Sequence, residues 1–317
     1  MKASTKRAMI VAAGMLLLGV ILAAAGFFGM GASFRPLETV SFSTREYAPE
    51  EPFDAVSIRG GSCDVKLLPS EDGTCRVVCR EEDGRPFRVA VEKGVLSIEE
   101  TNTDKYQLFR FSAESPEITV YLPIRDYERF YAELSTGDLR LQGSLRFDSF
   151  SVEGSTGDVT VDGASIGALT VKRSTGSIRL LAATVGSAEV TASSGGVSLR
   201  DMTATEGLVL QVTTGDIHLE NVTCGSLNAK AGTGDIELKD SVARGEISLR
   251  SGTGHLLLAD CDAASLRLST NTGDVSGHLL SDKIYTAKAN TGSVSVPSSR
   301  TGGECSIETN TGDIRFD

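Results

Sequence analysis

Apolar and polar residues alternate along the second half of the chain, and the tripeptide Thr-Gly-Asp punctuates that alternation. Aligning on its glycine gives Gly137, Gly157, Gly176, Gly195, Gly215, Gly234, Gly254, Gly273, Gly292 and Gly312. The steps between them are 20, 19, 19, 20, 19, 20, 19, 19 and 20 residues. A fixed period of about twenty residues is the mark of a solenoid in which each repeat is one coil. Two residues after each glycine stands an aliphatic residue: Leu139, Val159, Ile178, Val197, Ile217, Ile236, Leu256, Val275, Val294 and Ile314. Four residues after it the position is again apolar in all coils but one, where Gly277 stands. The residues between them are polar or charged in most coils, such as Arg140, Thr160, Arg179, Ser198, His218 and Glu237. This is a period of two, hence a strand with one face inward. A second alternating pair follows in each repeat, as in Leu169/Val171, Leu227/Ala229, Ile247/Leu249 and Leu266/Leu268, and nothing of helix length intervenes. Each coil therefore reads as strand, bend, strand, bend, with equivalent strands pairing in parallel and the rest of the coil serving as crossover.

The fold expected is all-β: a parallel solenoid of about ten coils over residues 131–317, right-handed by the general preference of parallel connections. Each coil turns its corner at the same place. The glycine supplies positive φ or close backbone approach, and the aspartate bonds neighbouring amides. Gly137, Asp138, Gly157, Asp158, Gly215, Asp216, Gly234, Asp235, Gly273, Asp274, Gly312 and Asp313 are the structural turn residues of this scheme. The aspartates would form a column, and neighbours such as Asp216 and Asp235 could share a calcium ion. Against that, Ser177, Gly196, His255 and Ser293 interrupt the column, and one carboxylate per coil is few for a calcium site. Turn capping is the reading preferred here. The last coil, "TGDIRFD", places Ile314 and Phe316 at the inward phase, so an open end there would offer a weak self-association site.

Upstream, "DAVSIRGGSCDVKLL", "CRVVCRE", "FRVAVEKGVLSIEE" and "PEITVYLP" read as strands, with "VEKGV" as a hairpin turn. "GSCDV" has the layout of "STGDV" with Cys63 at the glycine position, so irregular coils over residues 52–130 would cap the stack. Residues 34–51 read as a stalk. The uncharged run at residues 8–33, "AMIVAAGMLLLGVILAAAGFFGMGAS", is 26 residues long and exceeds the ~20 needed to cross a bilayer core as a helix. Cleavage after Ala25 would leave "GFFGMGA" exposed, which favours a retained anchor. Lys2, Lys6 and Arg7 precede it. They would keep residues 1–7 in the cytoplasm and export the body, making a single-pass protein of the cell membrane.

Charge narrows the partners. The 317-residue chain has 31 basic and 42 acidic residues. Four of the basic ones and none of the acidic lie in residues 1–35, which leaves 27 − 42 = −15 on the body. Such a body does not track a phosphate backbone, so nucleic acid is not an expected partner. Cys224, Cys261 and Cys305 fall at inward positions two coils apart, about 9.6 Å along the axis, beyond the reach of a disulfide. Cys75 and Cys79 share one strand face; Cys63 could pair with one of them, or all six could be buried hydrophobes. His218, His255 and His278 stand at different offsets from their glycines and do not converge. No spacing suggests a metal centre, cofactor site or catalytic triad. The outward-facing Arg140, Arg179, Arg200, Lys239 and Arg250 have no acidic pair to make a polysaccharide-cleaving site.

"GGSCDVKLLPSEDG", "KGVLSIEE", "EITVYLP" and the repeated "STGD[IV]" together resemble a bacterial candidate-adhesin family, domain-of-unknown-function family 4097, over roughly residues 40–317. The resemblance implies an N-terminal membrane span, a β-solenoid body, a cell-envelope location and, in some members, a link to envelope stress. It supplies no catalytic residues. The function expected is a non-enzymatic, membrane-anchored surface scaffold with an envelope protein or glycan as partner. The alternatives are a polysaccharide-active enzyme and an end-to-end polymer.

Overall fold

The computed structural model describes residues 15–21, 25, 41–101 and 114–317. Of the expected membrane span, residues 15–21 form a short helix that exposes Met15, Leu16, Leu17 and Leu18. Among the described residues no helix is long and apolar enough to cross a membrane. The rest of the span, and residues 34–40 of the expected stalk, lie outside the described residues.

The body is a stack of strands, and coils are named here one to ten by their corner glycines in chain order. From Asp126–Thr136 onward the strands before each corner pair in parallel with their equivalents one coil away, and those after the corner do the same. Val152 lies between Ala132 and Val171, and Val161 between Leu141 and Leu180. The alternation in sequence becomes an apolar interior one coil wide: Leu139, Val159, Ile178, Ile217, Ile236, Leu256 and Val275 are wholly buried. Each such side chain contributes about 1.5–3 kcal/mol of burial. Near the start of the stack the filling is aromatic. Phe130 stacks on Phe150 of the next coil with ring centroids 4.4 Å apart, and Tyr127 on Phe147 at 5.5 Å. Further along, Leu, Val and Ala take over.

The order of coils in space departs from their order in sequence at both ends. Gly303–Thr311, which leads into corner Gly312, pairs with Leu256–Thr272 on one side and Lys283–Thr291 on the other: Cys305 lies between Leu266 and Tyr285. Past the corner, Ile314–Phe316 pairs with both Val275–Leu279 and Val294–Ser295. Coil ten therefore sits between coils eight and nine, and coil nine is outermost. This corrects the expectation that Ile314 and Phe316 face an open end. Ile314 is fully buried and Phe316 nearly so, whereas Val294 and Ile284 of coil nine are about two-fifths exposed (44% and 41%).

The other end is built the same way. Ala55–Ser62 lies between Val95–Glu100 and Asp126–Thr136, with Ile58 facing Ile98 and Ala132. Asp64–Pro69 lies between Glu117–Leu122 and Leu139–Gln142. The first coil of the chain is thus the second in space, and Cys63 takes the corner position beneath Gly137. Antiparallel strands close this end. Phe87–Glu92 pairs with Val95–Glu100 through the Lys93-Gly94 turn, both residues at positive φ, and Arg76–Glu82 pairs with Glu117–Leu122. Phe42–Tyr47, assigned to a stalk from sequence, instead pairs with Arg76–Glu82 and belongs to the body. There the Tyr47 hydroxyl meets the buried Glu81 at 3.3 Å.

Candidate functional site

The corner column is the most regular polar feature of the molecule. Its ten glycines have φ between +127° and +153°, a region L side chains rarely adopt. The corners also stack so closely that a Cβ at Gly234 would lie 2.1 Å from the Gly215 carbonyl oxygen, and one at Gly312 would lie 2.0 Å from that of Gly273. Both demands anticipated from sequence act at once.

The aspartates bond along the stack. The amide of Asp138 donates to Oδ1 of Asp64 at 2.9 Å, and the amide of Asp158 to Oδ1 of Asp138 at 2.9 Å. Ser177 donates likewise to Asp158 at 2.8 Å. The run stops at Ser177 and Gly196 and resumes with Asp235 donating to Asp216 at 2.9 Å and His255 to Asp235 at 2.7 Å. His255 keeps the pattern with a ring nitrogen: its Nδ1 accepts the amide of Asp274 at 3.0 Å. Asp313 then donates to Asp274, and Ser293 to Asp313, each at 2.8 Å. The ladder follows the spatial order of coils, not the sequence order. The outer oxygens of Asp138 and Asp158 meet Arg140 at 3.5 Å and Arg179 at 2.9 Å. Burial alone would raise the Asp158 carboxyl, but the Ser177 amide and Arg179 hold it below the usual carboxylate range. The Ser293 amide and hydroxyl do the same for Asp313.

For Asp216 and Asp235, the sequence's calcium candidates, one oxygen of each is thus engaged by a backbone amide. Among the described residues no group of three or more His, Cys, Asp or Glu is placed to hold a metal ion. The three histidines lie on separate coils: His218 meets Glu237 at 3.2 Å and His278 meets Asp260 at 2.9 Å. All six cysteines are buried and unbonded, Cys63 included. Desolvation pushes the Cys63, Cys79 and Cys305 thiols up to about 12, so they are not thiolates at neutral pH.

Two features escaped the sequence reading. One is a second left-handed corner, six residues after the first, at Gly143, Gly163, Ala182, Asp201, Asn221, Asp240 and Asp260. Its signal was present, since two are glycine and four are Asn or Asp, which tolerate that conformation best among other residues. The other is Arg173, only 3% exposed and the one charged residue of its inward column, which carries Ala192, Val212 and Ala231 on one side of it and Gly154 and Leu134 on the other. It donates to the carbonyls of Leu134 and Gly137, both at 3.4 Å. Burial pulls its guanidinium below the usual range, while nearby Asp138 and Asp158 favour the charged form.

On another face Arg200 and Lys239 clasp Glu220 at 2.9 and 3.1 Å. Lys239 and Arg200 hold this carboxyl below its ordinary range, whereas a general acid for glycoside cleavage needs the opposite shift.

These features define a parallel β-solenoid whose corner chemistry is committed to its own stacking. The chain belongs to the Toastrack family, DUF4097, whose pattern it matches over residues 53–317. No curated protein sequence matches it. Among solved structures it is similar to a candidate adhesin from Bacteroides fragilis (16% identity, 87% of this chain and 97% of that one, TM-score 0.45). Another is a candidate lipid-binding protein from Parabacteroides distasonis (13%, 87% and 97%, 0.40). A third is a candidate adhesin from Parabacteroides merdae (10%, 88% and 98%, 0.33).

Proposed function

We propose that this protein is a non-enzymatic scaffold of the bacterial cell envelope. A single N-terminal span holds it in the membrane, residues 1–7 stay in the cytoplasm, and the solenoid projects outside as a surface for an envelope component. The observation that carries the reading is the ladder along the corner. Each of its carboxylates spends one oxygen on holding the next coil, and the flanks of the stack are left as long, regular, polar faces. The basic residues before an uncharged 26-residue run support the anchor and its orientation. Family resemblance supports the envelope location and a place in envelope-stress responses. A reporter active only outside the cytoplasm, fused after Asp317, tests the topology. Activity is expected; a stably made but inactive fusion would remove the exported-surface reading.

A further inference from the structure

On the face that leads into the corner, the position two residues before the corner glycine carries Ser135, Ser155, Ser174, Ser193 and Thr213 in the first five coils. Coils six and seven break this hydroxyl column with Gly232 and Gly252, and the last three carry Asn271, Asn290 and Asn310. The glycines are imposed by the backbone. A Cβ at 232 would lie 2.5 Å from the Thr213 carbonyl oxygen, and one at 252 would lie 2.4 Å from that of Gly232. The result is a trench that runs from Gly232 and Gly252 of coils six and seven to Asn271 and Asn310 of coils eight and ten, with a volume of about 340 Å³, at the lower end of the roughly 300–1,000 Å³ of small-ligand sites.

Two cations stand over its floor at one end, and Glu308 lines the other end, separated from Arg250 by Ser269 in register. Lys230 and Arg250 are register partners on adjacent coils, about 4.8 Å apart along the axis. Most cations of this acidic body have a carboxylate nearby: Lys172, in the same column, meets Glu153 at 3.6 Å, and Arg267 meets Glu246 at 3.8 Å. Among the described residues no acid pairs with Lys230 or Arg250. The asparagines add direction. The amide nitrogen of Asn290 donates to Oδ1 of Asn310 at 2.7 Å, and that of Asn310 donates to Oδ1 of Asn271. Donation runs one way along the ladder, so its unspent donor, Asn271 Nδ2, is at the trench end.

We infer that this trench binds an acidic glycan, with the acid group between Lys230 and Arg250 and sugar hydroxyls toward Asn271 and Glu308. The inference rests on the surface-scaffold reading and names its ligand class. No aromatic side chain lines the trench, so it lacks the stacking platform that a nucleobase would use. A body of net charge −15 repels a dense polyanion but accepts a sparsely charged chain at a local cationic site. Carboxylate and phosphate groups suit the two cations equally.

The test uses the full-length chain in a nonionic detergent, titrated calorimetrically with three oligomers of similar length: oligogalacturonate, an oligo-glycerol-phosphate and neutral malto-oligosaccharide. Saturable binding of at least one acidic oligomer is expected, and the tighter of the two identifies the acid group. K230Q and R250Q should each weaken it about fivefold or more, and the double variant about twentyfold. K172Q, the same charge change in the same column outside the trench, should leave it unchanged. Three results would overturn the inference: no saturable binding of either acidic oligomer, equal binding of the neutral one, or equal loss in K172Q and K230Q. Binding by purified protein is independent of export, so a failed topology test and a failed titration condemn different statements.

Discussion

The guanidinium of Arg173 occupies the space that a side chain at Gly154 would need. A Cβ there would lie 2.2 Å from Arg173 Nη1 and 2.1 Å from the Leu134 carbonyl oxygen to which Arg173 donates. The two positions are neighbours in register on adjacent coils, and the arginine reaches across the glycine to the coil beyond. A cation is thereby placed under Asp138 and Asp158, where carboxylates stack without an intervening neutral residue.

Gly154→Ala should therefore destabilise by about 1–3 kcal/mol, the usual cost of overpacking. Arg173→Ala should cost a similar amount by leaving the buried Leu134 carbonyl and the part-buried Gly137 carbonyl without this donor. In the double variant the costs should fall short of additive, because removing the arginine frees part of the space; the Leu134 carbonyl still blocks the rest. Denaturant melts of the four proteins give the coupling, and strict additivity would show that the two residues do not share this space.

At the corner, Gly234→Ala meets both an unfavourable φ and a backbone oxygen, so a loss of about 3 kcal/mol or more is expected. Asp235→Ala removes one acceptor from the exposed His255 amide, which water can replace, and should cost about 1 kcal/mol. Thermal melts in calcium and in chelator should coincide for the wild type. A calcium-dependent rise abolished by Asp235→Ala would establish the corner aspartates as a cation site instead.

The interchange of coils nine and ten has a direct readout. Ile314→Lys places an unpaired charge in the interior and should cost about 3–5 kcal/mol. Val294→Lys, on the outermost coil, should stay within about 0.5 kcal/mol. Stacking in sequence order would put Val294 between two coils and reverse the ranking. Any self-association is accordingly expected through coil nine, and sedimentation of Val294→Lys against wild type measures it.

Acid should weaken the same end. Lys283 is almost fully buried, and its Nζ meets Oδ1 of Asp262 at 2.6 Å. Partial burial would raise the Asp262 carboxyl, but hydrogen bonds from Lys283 and Ser281 outweigh it and hold the group below the ordinary range. A depressed folded pKa contributes stability that is fully present above the unfolded value of about 3.9 and is lost as pH falls through the folded value. Melting temperature should thus be flat through neutrality and drop below about pH 4. Asp262→Asn alone leaves the ammonium without its counter-charge and should cost more than Asp262→Asn with Lys283→Met. The opposite order in melts at pH 7 would deny the pair this role.

The period, the corner and the inward columns were legible because each coil repeats the same physical demand and the chain answers with the same residue types. Gly137 to Gly312 could be placed without any structure. The interchange was not legible, since the coils are near equivalents. Cys305 fits against Leu266 as well as Tyr285 does, and the steps of 19 and 20 residues continue unbroken past Gly273. The available hints were local: Ala287 and Ala289 give coil nine a thin apolar face, and Pro297 ends its second strand after Val294–Ser295. The trench was missed for a related reason. Gly232 and Gly252 carry no periodic signal of their own in the sequence, and Arg250 looks like the other outward-facing basic residues. Only the register places the glycines side by side and Lys230 beside Arg250.

A simple solenoid can grow like a column of coins, each coil seating on the one made before it. With coil ten inside coil nine, the ribosome delivers the lid before the layer beneath it. Residues 283–296 emerge before their native neighbour, and they reach their final place only when residues 303–317 have followed. Closure of this end is then a single event involving two coils, and reopening is equally concerted. Stalled chains exposed as far as residue 301 should show it in limited proteolysis: the stack through coil eight protected, and coil nine cut.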